Sequence, residues 1–321
     1  MKKSVLGIDI GSYSIKAVEL HIGKKGLEVG ACHELLRSDI AGPLFDETAR
    51  SGALPEDADP DTTAPEDAES EEKPSLPKTS PMGEAIAELL ASHNMQSDYV
   101  IASLPSDKVS SRHLHFPFDD VKNLSQTIPF EVEDQIPFEI DEIILDWAQV
   151  RSKNGESDIL AVFTPREDVG QRIEEFSDSG LLPQVMEPEG LVLSNLCELF
   201  PLAGDELLID IGHRKTTLCW LSQGKPLAMR SILMGGEAVT EALAKDRRVD
   251  LALAEDLKRQ QGIFTGNDLS SPYENAYQCV EQLAREIHRS QTALEETLSD
   301  GVITPSKIVL MGGGSQLHHL D

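Results

Sequence analysis

The chain has 321 residues, 40% apolar but only 5% aromatic, which is material for two or more aliphatic cores rather than one. Its 56 acidic residues outnumber 28 basic ones, for a formal net charge of −28. A surface of that sign repels phosphate backbones and anionic lipid headgroups, which argues against nucleic acid as a partner and against direct membrane docking. Cys32, Cys197, Cys219 and Cys279 form no C-x-x-C pair, so they indicate neither a zinc site nor a redox motif but the buried thiols of a reduced compartment, the cytoplasm. No apolar run reaches the roughly 18–20 residues that span a bilayer. The basic start Met1-Lys2-Lys3 leads into an apolar run cut by Asp9, which is not a signal peptide. The chain stops at Asp321 just after a glycine cluster, where an αβ unit normally continues, so a fragment of a longer protein is expected.

In chain order, Val5–Ile10 and Ile15–Leu20 read as strands joined by a tight polar turn, a hairpin. Between Leu54 and Pro74, nine acidic residues face one lysine, with four prolines and no aromatic residue; such composition predicts a disordered acidic loop. Ile86, Leu89, Leu90 and His93 have helical spacing. Tyr99–Leu104 reads as a strand. Val121, Leu124, Ile128 and Val132 mark one helix face, interrupted by Pro129, so the helix either kinks there or restarts with Thr127 as N-cap. Ile143–Val150 and Ile159–Thr164 read as strands, and together residues 103–166 form a small α/β insert. Val169–Phe176 and Leu191–Leu199 are helix candidates. Glu206–Ile211 and Thr216–Leu221 open a second strand-rich lobe. A helix capped by Asp250 runs to about Gln261 and stops at Gly262. Val280, Leu283, Ile287, Leu294 and Leu298 stripe a longer helix, and Lys307–Met311 is the last strand.

Three glycine-bearing turns each follow an apolar strand. In the first, Asp9-Ile10-Gly11-Ser12-Tyr13-Ser14-Ile15-Lys16, Gly11 lets the backbone approach a ligand, Ser12 and Ser14 offer hydroxyls, Lys16 adds positive charge, and Asp9 suits a hydrated magnesium. A polar hairpin turn with a surface lysine reads the same way when taken alone. The second turn, Asp210-Ile211-Gly212-His213-Arg214-Lys215-Thr216-Thr217, repeats the Asp-x-Gly arrangement. The third is Gly312-Gly313-Gly314-Ser315, where bare backbone would let a purine or ribose pack closely. His113, His115, His318 and His319 lack a matching Cys or carboxylate set at ligand spacing, so surface or loop histidines are expected rather than a metal site.

This set of turns resembles the actin-like ATPase superfamily. Within it, Gly7-Ile8-Asp9-Ile10-Gly11-Ser12-Tyr13-Ser14-Ile15-Lys16-Ala17-Val18-Glu19-Leu20 is similar to the opening of the PilM family of type IV pilus assembly. Glu131-Val132-Glu133-Asp134-Gln135-Ile136-Pro137-Phe138, Ala254-Glu255-Asp256-Leu257-Lys258 and Ala284-Arg285-Glu286-Ile287-His288-Arg289-Ser290 resemble further segments of that family. The cytoplasmic part of GspL from type II secretion is a related pattern. The resemblance implies an α/β actin-like fold of two RNase H-like lobes. Residues 1–102 and 167–203 would form the first lobe, 103–166 a small inserted α/β subdomain, and 204–321 the second lobe. It implies ATP with Mg²⁺: Asp9 (the metal anchor), Gly11, Ser12, Ser14 and Lys16 in one phosphate loop, and Asp210, Gly212 and Thr216 in the other. Glu255 and Lys258 would meet ribose and base, and Gly312, Gly313 and Gly314 the adenine. The bulky His213, Arg214 and Lys215 depart from the small residues common in the second loop; their bulk would block phosphates or their charge would grip them.

The implied function is an ATP-binding cytoplasmic scaffold at the inner face of the inner membrane, serving a pilus or secretion machine and at most a slow ATPase. It would hold the N-terminal cytoplasmic tail of a PilN-like membrane protein and, as in GspL, an assembly ATPase, so that membrane association runs through partners. A nucleotide-free GspL-like scaffold and an actin-superfamily kinase are the alternatives.

Overall fold

The computed structural model describes residues 3–23, 26–40, 80–97, 99–264, 271–298 and 304–320; the acidic segment 54–74 lies outside them. Strands β1 (Lys3–Ile10), β2 (Ser14–Gly23) and β3 (Gly26–Leu36) form an antiparallel meander. After helix α1 (Pro81–Ser92), strand β4 (Val100–Leu104) pairs parallel to β1, and much later β8 (Val185–Pro188) pairs parallel to β4. The sheet order is thus β3-β2-β1-β4-β8. The second half repeats the plan. Strands β9 (Glu206–Ile211), β10 (Thr216–Ser222) and β11 (Lys225–Ile232) make a meander, and β12 (Lys307–Met311) adds parallel to β9, in the order β11-β10-β9-β12. Two meanders, each extended by a strand parallel to its first, are the paired RNase H-like lobes of the actin-like ATPase fold.

Between β4 and β8 the chain builds a third sheet from β5 (Ser110–Phe116), β6 (Ile143–Lys153) and β7 (Glu156–Pro165), in the order β5-β7-β6. Helix α2 (Val121–Glu133) covers one face of it, and α3 (Arg166–Glu174) leads back to the first sheet. In the second half, α5 (Gly236–Arg247), α6 (Leu251–Gln261) and α7 (Glu274–Thr297) lie between β11 and β12.

Cores follow the expected patterns. Ile86, Leu89 and Leu90 of α1 pack on Leu6, Ile8, Ile10 and Ile15 of the first sheet. Leu283 and Leu294 of α7 cover Ile209, Leu218 and Trp220. Helix starts are capped as their sequences suggest: Ser80 accepts from the Gly83 amide with Pro81 at the first position, and Asp250 accepts from the Leu253 amide before a stop at Gly262, φ 70°.

Helix α2 resolves the choice left open at Pro129. It is continuous, Asp120 is its N-cap, and Thr127 is interior, its hydroxyl donating to the Asn123 carbonyl at 2.9 Å. A proline inside a helix costs about 3 kcal/mol. Leu124, Ile128 and Val132 are each fully buried, and burying an aliphatic side chain stabilises by about 1.5–3 kcal/mol. The stripe therefore outweighs the proline. Leu191–Leu199 is a single α turn, α4 (Glu189–Val192), followed by a 3₁₀ segment rather than one helix. Of the histidines expected at the surface or in loops, His115 is exposed on strand β5, whereas His113 is half-buried on the same strand.

Candidate functional site

The turns β1–β2 and β9–β10 face one cavity. Each is locked by the same bond: the Gly11 amide donates to the Ser14 carbonyl at 3.0 Å, and the Gly212 amide to the Lys215 carbonyl at 2.9 Å. Each carries an aspartate two residues before its glycine, Asp9 opposite Lys16 and Asp210 opposite Thr217. The cavity, about 830 Å³, has the size of a small-molecule site. It is bordered by Asp9, Gly11, Ser12, Ser14, Lys16, Asp210, Gly212, Glu255, Lys258, Gly312, Gly313 and Gly314.

Thr216 does not border it. Side chains alternate along a strand, so Thr217, paired with Asp210, faces the cavity, while Thr216 is buried behind it with its hydroxyl on the Met234 carbonyl at 2.7 Å. Lys215, expected to block or grip phosphates, lines the cavity, and so do Tyr13, Glu34, Glu189 and Arg259, which sequence spacing missed. Glu189 follows the short β8, whose Val-Met-Glu-Pro sequence carries no strand alternation; Arg259 was one residue from a recognised pair.

The first turn is built from behind. Arg37 donates its side-chain Nη1 to the Gly11 carbonyl at 3.2 Å and its amide to the Tyr13 carbonyl at 2.9 Å. Both carbonyls are thereby drawn away from the cavity. Ser14 is buried and gives its hydroxyl to Glu34 Oε1 at 2.5 Å. Asp9 takes the Ser103 hydroxyl at 2.7 Å and lies 3.9 Å from Lys16 Nζ.

The second turn is held by α5. The Gly236 amide donates to the Gly212 carbonyl at 2.9 Å and the Glu237 amide to the His213 carbonyl at 2.8 Å. Glu237 also grips Arg214 in a fork, at 2.8 Å to Nε and 3.1 Å to Nη2, which turns Arg214 out of the cavity. The His213 ring stands edge-on to Tyr13, centroids 5.3 Å apart; burial, partly opposed by the Glu237 charge, holds its pKa below the usual histidine value. Lys215 reaches Asp107 and Glu189, each at 2.7 Å.

On the far wall, Lys258 Nζ donates to Glu255 at 2.6 Å, Thr240 Oγ1 at 2.7 Å and the Gly236 carbonyl at 3.0 Å. Burial alone would raise the Glu255 carboxyl; hydrogen bonds from Lys258 and Thr240 and the charges of Lys258 and Arg259 overcome this and keep it below the ordinary range. Arg259 donates to Tyr13 Oη at 3.0 Å with its guanidinium 5.4 Å from the ring centre, so it spans the cavity mouth between lobes. Asp210 behaves oppositely to Glu255: burial, then the charges of Glu189 and Asp9, push its pKa up. Gly312 has φ +82°, and any Cβ there would overlap Asp210 Oδ1 and the Ile211 carbonyl. Only glycine lets β12 pass so close to the second turn.

The family model of the type IV pilus assembly protein PilM matches residues 66–321. A solved PilM-PilN type IV pilus biogenesis complex is 25% identical with a TM-score of 0.72, over 98% of this chain and 83% of that one. The cytoplasmic domain of EpsL, an inner-membrane component of the type II secretion system of Vibrio cholerae, is 12% identical with a TM-score of 0.42, over 77% of this chain and 78% of that one. ADP-bound MreB5 of Spiroplasma citri is 12% identical with a TM-score of 0.48, over 99% and 87%. With the paired lobes and their facing turns in place, and the family model matched over most of its length, the chain belongs to the PilM family of type IV pilus assembly proteins.

Proposed function

We propose that this chain is a nucleotide-binding cytoplasmic scaffold of type IV pilus assembly, holding ATP with Mg²⁺ in the cleft and the cytoplasmic tail of a PilN-like membrane protein on the three-stranded subdomain. The observation that carries the nucleotide reading is the pair of equivalent turns, each with its aspartate, facing one cavity. The residues present fit such a ligand. Among the described residues no protein group accepts from the Ser12 or His213 amide, which leaves both for phosphate oxygens. Asp9 and Asp210 both border the cavity, and burial, then the charges of Glu189 and Asp9, raise the Asp210 carboxyl, so added positive charge there would favour its ionised form. When bound, the magnesium ion would supply positive charge against the phosphates. Asp9 would anchor its hydration shell, Lys16 would add a positive charge beside the phosphates, Glu255 and Lys258 would meet the ribose and base, and Gly312, Gly313 and Gly314 would admit the adenine.

Residues 1–102 with 167–203, 103–166, and 204–321 are the units we assign to first lobe, insert and second lobe. The partner reading rests on the likeness to the PilM-PilN complex and on exposed apolar side chains of the insert, Val121, Phe130, Phe138 and Ile144, which its own core leaves outside. Among the described residues no helix is long and apolar enough to cross a membrane, so such a partner would bring the chain to the membrane.

One observation favours the nucleotide-free alternative: Arg214 and Lys215, the cations of the second turn, are already paired with protein carboxylates. Calorimetry of the full chain separates the two readings. Saturable Mg²⁺-dependent ATP binding, weakened at least about tenfold (~1.4 kcal/mol) by Asp9→Ala, supports the nucleotide reading. No heat with ATP and Mg²⁺ leaves the nucleotide-free scaffold.

A further inference from the structure

Lys215 stands where the sequence departs from a small-residue phosphate loop, and its surroundings assign it a different task. Its ammonium makes two short contacts, 2.7 Å to Asp107 Oδ1 and 2.7 Å to Glu189 Oε2, and its side chain is only 22% exposed. Neither carboxylate belongs to its own lobe. Asp107 lies in the 3₁₀ turn between β4 and β5, where the first sheet hands over to the three-stranded sheet. Glu189 opens α4 directly after β8. The same Glu189 oxygen accepts the Ser106 amide at 2.9 Å and the Ser106 hydroxyl at 3.1 Å, and Ser106 Oγ lies 2.6 Å from Thr217 Oγ1. Ser106 and Thr217 are both nearly inaccessible to solvent. At the cavity floor, then, one lysine and one threonine of β9–β10 are bonded to one turn and one helix start of the other two bodies.

We infer that Lys215 is a positioning residue rather than a phosphate ligand: by neutralising Asp107 and Glu189 it pins the second lobe to the first lobe and to the three-stranded subdomain, and keeps the cleft closed whether or not anything occupies it. The charges require such a cation. Asp9, Glu189 and Asp210 line this cavity, and removing the lysine strips Asp107 and Glu189 of their shared counter-charge while Asp9 and Glu189 of the first lobe still face Asp210 of the second. Repulsion of that kind is relieved only by separation or by proton uptake. Lys258 provides the contrast. It lines the same cavity, yet all its bonds lie within the second lobe.

The test is small-angle X-ray scattering of the ligand-free full chain. Lys215→Met should increase the radius of gyration, Lys215→Arg should keep the wild-type value, and Lys258→Met should leave it unchanged. The exchanged pair Lys215→Asp with Asp107→Lys should recover much of the closure lost in Lys215→Asp alone, a rescue that a packing role does not give. Asp107→Asn provides a second, milder opening should Lys215→Met not fold. Equal radii for wild type, Lys215→Met and Asp107→Asn would overturn the inference. So would an unchanged radius combined with at least about a tenfold loss of ATP affinity in Lys215→Met, because that pattern makes Lys215 a phosphate ligand. Scattering is read without nucleotide, so a wild-type chain that never binds ATP would end the nucleotide reading and leave this one standing.

Discussion

His113 shows how one side chain sets a pH limit. It sits on β5, and its Nε2 is buried without a partner. Burial first, and then the charges of Arg151 and His115, lower its pKa from 6.5 despite the attraction of Asp158. The folded chain thus prefers the neutral ring. For a depressed histidine the stabilisation is present above the unfolded value near 6.5 and is lost as pH falls through the folded one, since the unfolded chain then binds the extra proton. The urea midpoint should fall between about pH 7.5 and about pH 5, and His113→Leu should fall less over that window. An equal drop in both proteins would assign the acid sensitivity elsewhere. Carboxylates held low, such as Glu255 and Asp107, act in a more acidic window and do not confuse the reading. This role was not legible in the sequence, where His113 read as a loop or surface residue; only the packing of β5 gives it a dry environment.

At the scale of elements, α2 is the clearest contest between local and tertiary preference. Ile128→Ala should cost about 2–5 kcal/mol, because the residue is fully buried among Leu114, Phe116 and Phe163. Pro129→Ala should stabilise by about 1–3 kcal/mol, since it restores an amide for the Ser125 carbonyl without touching the stripe. Chemical denaturation of both variants measures this, and a loss of stability in Pro129→Ala would mean that the ring packs productively. Elements with a strong period were legible: β1, β2, α1, β9, β10, α6 and α7 all fall where spacing put them. The misses have separate causes. Strand β3 reads Gly-Leu-Glu-Val-Gly-Ala-Cys-His-Glu-Leu-Leu; its alternating Leu27 and Val29 are exposed, its glycines weaken the strand signal, and it is held by its long pairing to β2. Strand β8 is four residues long and ends in Pro188, tolerated there because β8 is an edge. Helix α5 has a legible stripe in Val239, Leu243 and Ala244, but its Gly-Gly start resembles a loop. At the cavity, the two turns and the late glycines were legible as repeated motifs. Thr216 was misplaced by one residue because a motif does not say which way a strand residue points, and Lys215 had partners more than twenty residues away in sequence.

For the whole molecule, the expected partner tail offers a decisive experiment. A labelled N-terminal tail peptide of the PilN type should bind the full chain. The exposed pair of substitutions Phe130→Ala and Phe138→Ala should weaken it about tenfold or more while thermal stability stays near wild type, as both rings project from the core. Undiminished binding would move the partner site off this subdomain. The seam beneath that surface has a mechanical meaning. Ser111 of β5 donates its hydroxyl to the Met229 carbonyl of β11 at 2.8 Å, and Met229 packs with Leu104, Val109, Val162 and Leu191. Strand β11 is in turn paired along its length to β10, whose first residues follow the second turn. On the proposed reading, a pull on the partner's tail would enter at the small sheet, cross one seam, and arrive at Thr217 after two strands. With so short a load path, tension on a bound tail and ligand occupancy of the cleft would act on the same few atoms, and each would be felt as a change in the other.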